Sequence, residues 1–369
     1  MIDIEKLTGI SRRYGANPEY VIAGGGNTSC KDDSTLAVKS SGTSLGEISF
    51  EGFVKLDRRR LREIREKTYP AEPDEREAQV LADMLAARLP GEEHKRPSVE
   101  TLLHDILPFP WVVHTHPALV NGLTCSRDAE AGAAKLFPES IWIPSINPGY
   151  ILSQKVAQAL EEYQAKHGKT GQVIFLQNHG VFVSANTTKD VDDSYQRILE
   201  TLRSCILRNP DFSEEVFVWE NSEEIRQRIV AFAGGAKRAV FLRNQEIARI
   251  TQNRAAFEPV SSAFTPDHIV YAGSNPIFIE SFSDIQEQWN LQASRIGKTP
   301  KIIAVQNMGV FGIGDSEKAA HLALELFTDA MKIAAYTESF GGSRFMPQDQ
   351  IDFINNWEVE RYRSKVSAE

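Results

Sequence analysis

Cysteine is scarce in this chain of 369 residues: there are 3, Cys30, Cys125 and Cys205. They are scattered and form no CxxC pair, which excludes a disulfide framework and a thiolate metal site and is the pattern of a reducing cytosol. Long apolar runs are missing as well, since no stretch approaches the ~20 residues that a membrane-spanning helix requires. The first residues, Met1-Ile2-Asp3-Ile4-Glu5-Lys6, lack the pattern of a secretory leader. Basic excess is also absent. With 41 Lys and Arg against 50 Asp and Glu, the net charge is −9, and no cationic footprint for nucleic acid exists. These absences set the expectation of a cytoplasmic protein with neither membrane nor nucleic acid as partner. Its 41% apolar and 25% charged residues are ordinary for a globular chain long enough for two domains.

Histidine is rare too, at 8 residues, so its placement is informative. Trp111-Val112-Val113-His114-Thr115-His116-Pro117 reads as a buried strand. Residues two apart on a strand share a face, so His114 and His116 leave on one side. Gln172-Val173-Ile174-Phe175-Leu176-Gln177-Asn178-His179-Gly180 reads as a second apolar strand that ends in a histidine at a glycine turn. Three imidazoles with a fourth position left open are the pattern of a catalytic zinc or similar divalent site.

Other elements follow from pattern. A short helix is expected over residues 4–14, a strand over Tyr20-Val21-Ile22-Ala23, and a further strand over Thr35-Leu36-Ala37-Val38-Lys39. A charged amphipathic helix is expected over residues 74–89. Another starts near Ser98, a plausible N-cap, and a long helix covers residues 187–207. Strands outnumber βαβ units, which predicts an α/β (α+β) fold with a mixed sheet covered by helices. The polar stretch 209–224 marks a boundary.

An internal repeat lies beyond it. Gln177-Asn178-His179-Gly180-Val181-Phe182 matches Gln306-Asn307-Met308-Gly309-Val310-Phe311 at an offset of 129 residues. Residues 138–148 and 266–276 share an apolar pattern and an Asn-Pro pair. The second copy carries Met308 in place of His179. It reads Phe241-Leu242-Arg243-Asn244 near the expected histidine pair, with Leu242 and Asn244 in the histidines' places. The expected domains are therefore a catalytic one over residues 1–215 and a degenerate repeat without metal ligands over 216–369.

Gly24-Gly25-Gly26-Asn27-Thr28-Ser29 and Ser40-Ser41-Gly42-Thr43-Ser44 follow the expected strands. Their glycines and hydroxyls could offer an anion-binding nest. The segment is no P-loop, because Lys31 does not fit that spacing. Glu100, in the first helical turn and shortly before His114, reads either as an ordinary helix N-terminal carboxylate favoured by the dipole or as a general base beside a metal.

Together, Gly26-Asn27-Thr28-Ser29, Ser41-Gly42, Pro97-Ser98-Val99-Glu100, His114-Thr115-His116-Pro117 and Asn178-His179-Gly180 resemble the class II aldolase/adducin family over residues 5–210. Within it, the stretch Arg96–His104 looks most like the aldolase portion of bifunctional rhamnulose-phosphate aldolase/short-chain dehydrogenase proteins. No glycine fingerprint of a dehydrogenase follows residue 210. The resemblance implies a class II aldolase-like mixed sheet and a metal, Zn2+ or another divalent ion, on His114, His116 and His179. It implies Glu100 as acid/base, and substrate contacts from Asn27, Ser29, Ser41, Gly42 and Ser98. Val99 stands where simpler members carry a second serine. Tyr150 is a weak candidate for the family's catalytic tyrosine. The implied activity is metal-assisted retro-aldol cleavage of a sugar or sugar phosphate, such as a ketose 1-phosphate, by a homo-oligomer. An epimerase would need acid/base groups on both faces, and a non-catalytic adducin-like module would have no use for the histidines.

Overall fold

A computed structural model describes residues 2–215, 222–233, 235, 237–296 and 299–357. The strands, in chain order, are β1 (Asn27–Lys31), β2 (Thr35–Lys39), β3 (Phe53–Asp57), β4 (Trp111–Thr115), β5 (Ile141–Ile143), β6 (Val173–Leu176), β7 (Gly180–Ala185), β8 (Arg238–Leu242), β9 (Ile277–Ile279), β10 (Ile302–Val305) and β11 (Gly309–Gly314). They form a seven-stranded sheet in the order β3-β2-β1-β4-β7-β6-β5 and a four-stranded sheet in the order β8-β11-β10-β9. The larger sheet is antiparallel except for the β5–β6 pair. The α/β (α+β) expectation of a mixed sheet with helices holds.

The chain divides into two compact units. Among the described residues, the first holds those of 2–124 and 128–205 with Trp357, and the second holds those between 206 and 356 with Cys125–Arg127. The polar boundary expected over 209–224 falls partly outside the described residues.

In the first unit, alternation along β4 places Val112 and His114 on one face. Val112 packs there with Leu103, Leu107, Ile174, Leu176 and Phe182. A buried side chain of this size contributes about 1.5–3 kcal/mol, and this core holds the strand that carries His114. A second cluster, with Leu36, Val38, Val54, Leu56 and Leu102, anchors β2 and β3. Because Leu102 and Leu103 belong to different clusters, the helix Thr101–Ile106 is held on both sides.

Several expectations need correction. Tyr20–Ala23 is not a strand, and the glycine run precedes β1 instead of following a strand. Ala23 and Gly26 take φ of 53° and 64°, left-handed values that end an extended ladder. Ser98 is not the N-cap. The helix Thr101–Ile106 has Glu100 at its N-cap, and Thr101 N donates to the Ser98 carbonyl. The bridge between Ser40 and Pro97 keeps this segment extended.

The second unit repeats one stretch of the first strand by strand. β6 pairs antiparallel with β7 and parallel with β5, as β10 pairs with β11 and β9. Asn178 and Asn307 both take φ of 56° in the hairpin turns. The helices Thr188–Arg203 and Glu317–Thr337 follow. The expected match of residues 138–148 with 266–276 does not hold, because His268–Ala272 is helical and the strand comes later, as β9. His114 lies opposite Phe182 and Phe241 opposite Phe311. Pairing therefore sets Phe241 and Arg243, not Leu242 and Asn244, in the places of His114 and His116.

Candidate metal centre and acid/base site

The end of β4, the residue just beyond it and the β6–β7 turn bring the three histidines together. His114 Nε2 lies 2.9 Å from His116 Nε2 and 3.4 Å from His179 Nε2. One ligand atom from each of the three falls within 4.8 Å of the others. The turn that presents His179 depends on Gly180. A Cβ there would stand 2.5 Å from the Thr115 carbonyl and 2.8 Å from the His116 ring. Only glycine lets β7 pass that close to the histidine pair.

His114 is fully buried and its ring stacks on Phe182, with centroids 3.9 Å apart and planes 9° from parallel. Its Nδ1 donates to the Val181 carbonyl at 3.0 Å. That bond sets the tautomer and leaves the Nε2 lone pair directed at the other imidazoles. Burial lowers the His114 pKa, against the pull of Glu100.

Glu100 reaches the same point. Its Oε1 lies 3.3 Å from His114 Nε2 and 3.4 Å from His179 Nε2, is buried, and receives no hydrogen bond. Its Oε2 accepts from Asn27 Nδ2 at 2.5 Å. Burial alone would raise the Glu100 pKa, but positive charge at the His114 and His179 imidazoles, with the Asn27 amide, outweighs it and holds the carboxyl well below the ordinary range. A buried lone pair facing a carboxylate oxygen is repulsive unless a positive centre stands between them. The spacings of 2.9 Å and 3.4 Å from His114 Nε2 fall on either side of the ~3.3 Å that tetrahedral imidazole coordination of zinc would set. The donor set fits a divalent cation.

The expected substrate contacts separate into two groups. Asn27 and Ser98 lie beside Glu100: Asn27 Nδ2 also approaches Ser98 Oγ at 3.3 Å, and Ser98 Oγ accepts from the Glu100 amide at 3.3 Å. Ser29 is fully buried, and its hydroxyl bonds to His104 Nδ1 at 2.7 Å. Ser41 donates its amide to the Arg96 carbonyl, and Gly42 turns the loop with φ of 85°. Tyr150, the weak candidate, gives its hydroxyl to the Lys67 carbonyl at 3.1 Å.

A model of the class II aldolase and adducin N-terminal domain matches residues 5–208, more than half of the chain. The chain belongs to this family. Two relatives are similar over different spans. An uncharacterized oxidoreductase, YuxG, of Bacillus subtilis (strain 168) is 22% identical over 98% of this chain, which spans 58% of that protein's length. A 3-oxo-tetronate 4-phosphate decarboxylase of Haemophilus influenzae is 25% identical over 50% of this chain and 78% of its own. Among solved structures, the N-terminal class II aldolase domain of a conserved protein from Thermoplasma acidophilum is 27% identical, with a TM-score of 0.46, over 55% of this chain and 93% of that one. An L-fuculose 1-phosphate aldolase is 15% identical, with a TM-score of 0.38, over 55% and 83%.

Sequence reasoning missed His104. It is fully buried, its Nε2 contacts Asn27 Oδ1, and its ring edge meets Phe182. Its partners lie more than seventy residues away in the chain, and a lone histidine in an apolar helix reads as core. Lys31, which does not fit the P-loop spacing, turns its buried ammonium to the His104 carbonyl. Among the described residues, no helix is long and apolar enough to cross a membrane.

Proposed function

We propose that this chain is a metal-dependent aldolase that cleaves a ketose 1-phosphate, of the rhamnulose 1-phosphate kind, into dihydroxyacetone phosphate and an aldehyde. The observation that carries this reading is the convergence of three imidazole nitrogens and one buried, unbonded carboxylate oxygen. His114, His116 and His179 would hold the ion, taken to be zinc. A divalent cation there supplies Lewis-acid stabilisation of the negative charge that develops on substrate oxygens during cleavage.

The residues do the remaining work. In retro-aldol cleavage the C4 hydroxyl gives its proton to solvent as its oxygen becomes the aldehyde carbonyl, the C3–C4 bond breaks, and the bond's electron pair passes to C3 and the neighbouring carbonyl. Glu100 Oε1, which faces the histidines, takes up a proton from solvent and delivers it to C3. Asn27 and Ser98 orient the Glu100 carboxylate, and the Ser41-Gly42 loop receives the phosphate end. Val99 takes the place of a second serine donor, which predicts a looser hold on that phosphate. The likeness of Arg96–His104 to the aldolase part of bifunctional aldolase/dehydrogenase proteins supports a deoxy-ketose substrate.

We further infer that residues 1–215 are the catalytic domain, that 216–369 are a degenerate aldolase-like repeat without metal ligands, and that the protein works in the cytoplasm as a homo-oligomer. The matching β9–β10–β11 and β5–β6–β7 pairing supports the repeat.

Zinc-loaded protein assayed on a panel of ketose 1-phosphates and the free ketoses tests the activity. Release of dihydroxyacetone phosphate by the wild type is expected. In Glu100→Gln, with metal retained, turnover should fall about 10²–10⁴-fold. Release of carbon dioxide from a 3-oxo acid phosphate, with no cleavage of any ketose phosphate, would replace this reading with decarboxylation.

A further inference from the structure

An asparagine amide can face a carboxylate with either end. Only its N–H end attracts, since the oxygen end would set two acceptors against each other. Which end faces Glu100 is therefore a question about what holds the other end of Asn27.

The other end is held by His104. His104 Nε2 contacts Asn27 Oδ1, and His104 Nδ1 lies 2.7 Å from Ser29 Oγ. Each contact has one consistent assignment. Asn27 Oδ1 is an acceptor only, so His104 Nε2 carries the proton and donates. His104 Nδ1 is then an acceptor, and the Ser29 hydroxyl donates to it. The Asn27 Nδ2 hydrogens are left for Glu100 Oε2 at 2.5 Å and Ser98 Oγ at 3.3 Å. A directed chain runs from Ser29 through His104 and Asn27 to Glu100. Its strand members suit it, because Asn27 and Ser29 lie two apart on β1 and share a face.

We propose that His104 is a positioning residue for Glu100: by donating from Nε2 to Asn27 Oδ1, it holds the Asn27 amide with its N–H on Glu100 Oε2 and leaves Oε1 as the proton-accepting oxygen that faces His114 and His179. This rests on the reading of Glu100 as the acid/base group. His104 is fully buried, so it acts through Asn27 and never on substrate. Burial also keeps the imidazole neutral, the form that has one donor and one acceptor nitrogen. The edge contact with Phe182 holds the ring, and Lys31 bonds to the His104 backbone carbonyl. Without the imidazole, Asn27 Oδ1 loses its donor, and the amide is held on Glu100 from one end only.

Two measurements on the metal-loaded full chain test this. Nitrogen NMR of histidine-labelled protein should show His104 protonated at Nε2 and bare at Nδ1; the opposite tautomer overturns the proposal. In kinetics, His104→Leu cannot donate to Asn27, whereas His104→Gln can. His104→Leu should keep its metal and its KM, lose about 10- to 100-fold in kcat, and move the acidic limb of the pH profile. His104→Gln should recover most of kcat and restore that limb. Wild-type kcat and an unmoved limb in His104→Leu overturn the proposal, as does equal loss in both variants with loss of metal, which would mark a merely structural histidine. Glu100→Gln separates the two claims. If it turns over normally, the acid/base reading falls, while the NMR tautomer still reports whether His104 holds Asn27.

Discussion

Lys31 shows how far the surroundings of the site depart from an ordinary surface. It lies on β1 with its ammonium buried, and burial, opposed by Asp105, brings its pKa down to about 7. In the unfolded chain the group titrates near 10.4. Between these values the unfolded chain binds a proton that the folded one does not, so stability rises with pH across that window. Chemical denaturation followed from pH 7 to 10 should show this rise, and Lys31→Met should flatten it. An identical slope in the variant would mean that Lys31 stays charged when folded. At this scale the sequence was legible where neighbours in space are neighbours in pattern. His114 ends the apolar run of β4 with His116 two residues on, and His179 follows a later apolar segment. Glu100 stood out only through its placement near His114 and its match to a family pattern. His104 and the support role of Ser29 were not legible, because a hydrogen bond across β1 and the helix Thr101–Ile106 leaves no local signature.

The element that matters most is the hairpin of β6 and β7. Its turn carries His179, its first β7 residue is Gly180, and its β7 carbonyl at Val181 sets the His114 tautomer. Gly180→Ala would force the Thr115 carbonyl and the His116 ring to give way. The chain should still fold, since the strand pairs and the core around Phe182 remain, but metal affinity should fall by at least tenfold. Competition with a metallochromic chelator measures it, and unchanged affinity would show that the close approach at Gly180 does not govern the site. The hairpin was readable because its sequence recurs nearly intact at Gln306–Phe311. The segment before it was not. The shared prolines and Asn-Pro of 138–148 and 266–276 suggested one register, while backbone pairing aligns β5 with β9. Turn residues can recur by composition, but strand register is set by which side chains must face the core. The Tyr20–Ala23 expectation failed in a similar way, since four apolar-leaning residues resemble a strand until a positive φ interrupts them.

Across the whole chain, the same hairpin pairing recurs with different residues around its turn. In the second unit Phe241 stands where His114 does, packed on Phe311 with centroids 4.9 Å apart. Arg243 stands at the place of His116. Its guanidinium bonds to the carbonyls of Asn307 and Met308 and pairs with Glu215 at 2.8 Å. A fixed organic cation thus ties the turn whose counterpart carries His179, and Met308 is buried in an apolar cluster. These residues occupy the places where the matching strands of the first unit carry histidines, and no metal group falls among the described residues of the second unit. The central claim is the triad in the first unit, and metal content tests it most directly. Elemental analysis of the purified wild type should find about one divalent ion per chain, and the His114→Ala/His179→Ala double variant, still folded by circular dichroism, should hold almost none. Full occupancy in that variant would place the metal elsewhere and contradict the account.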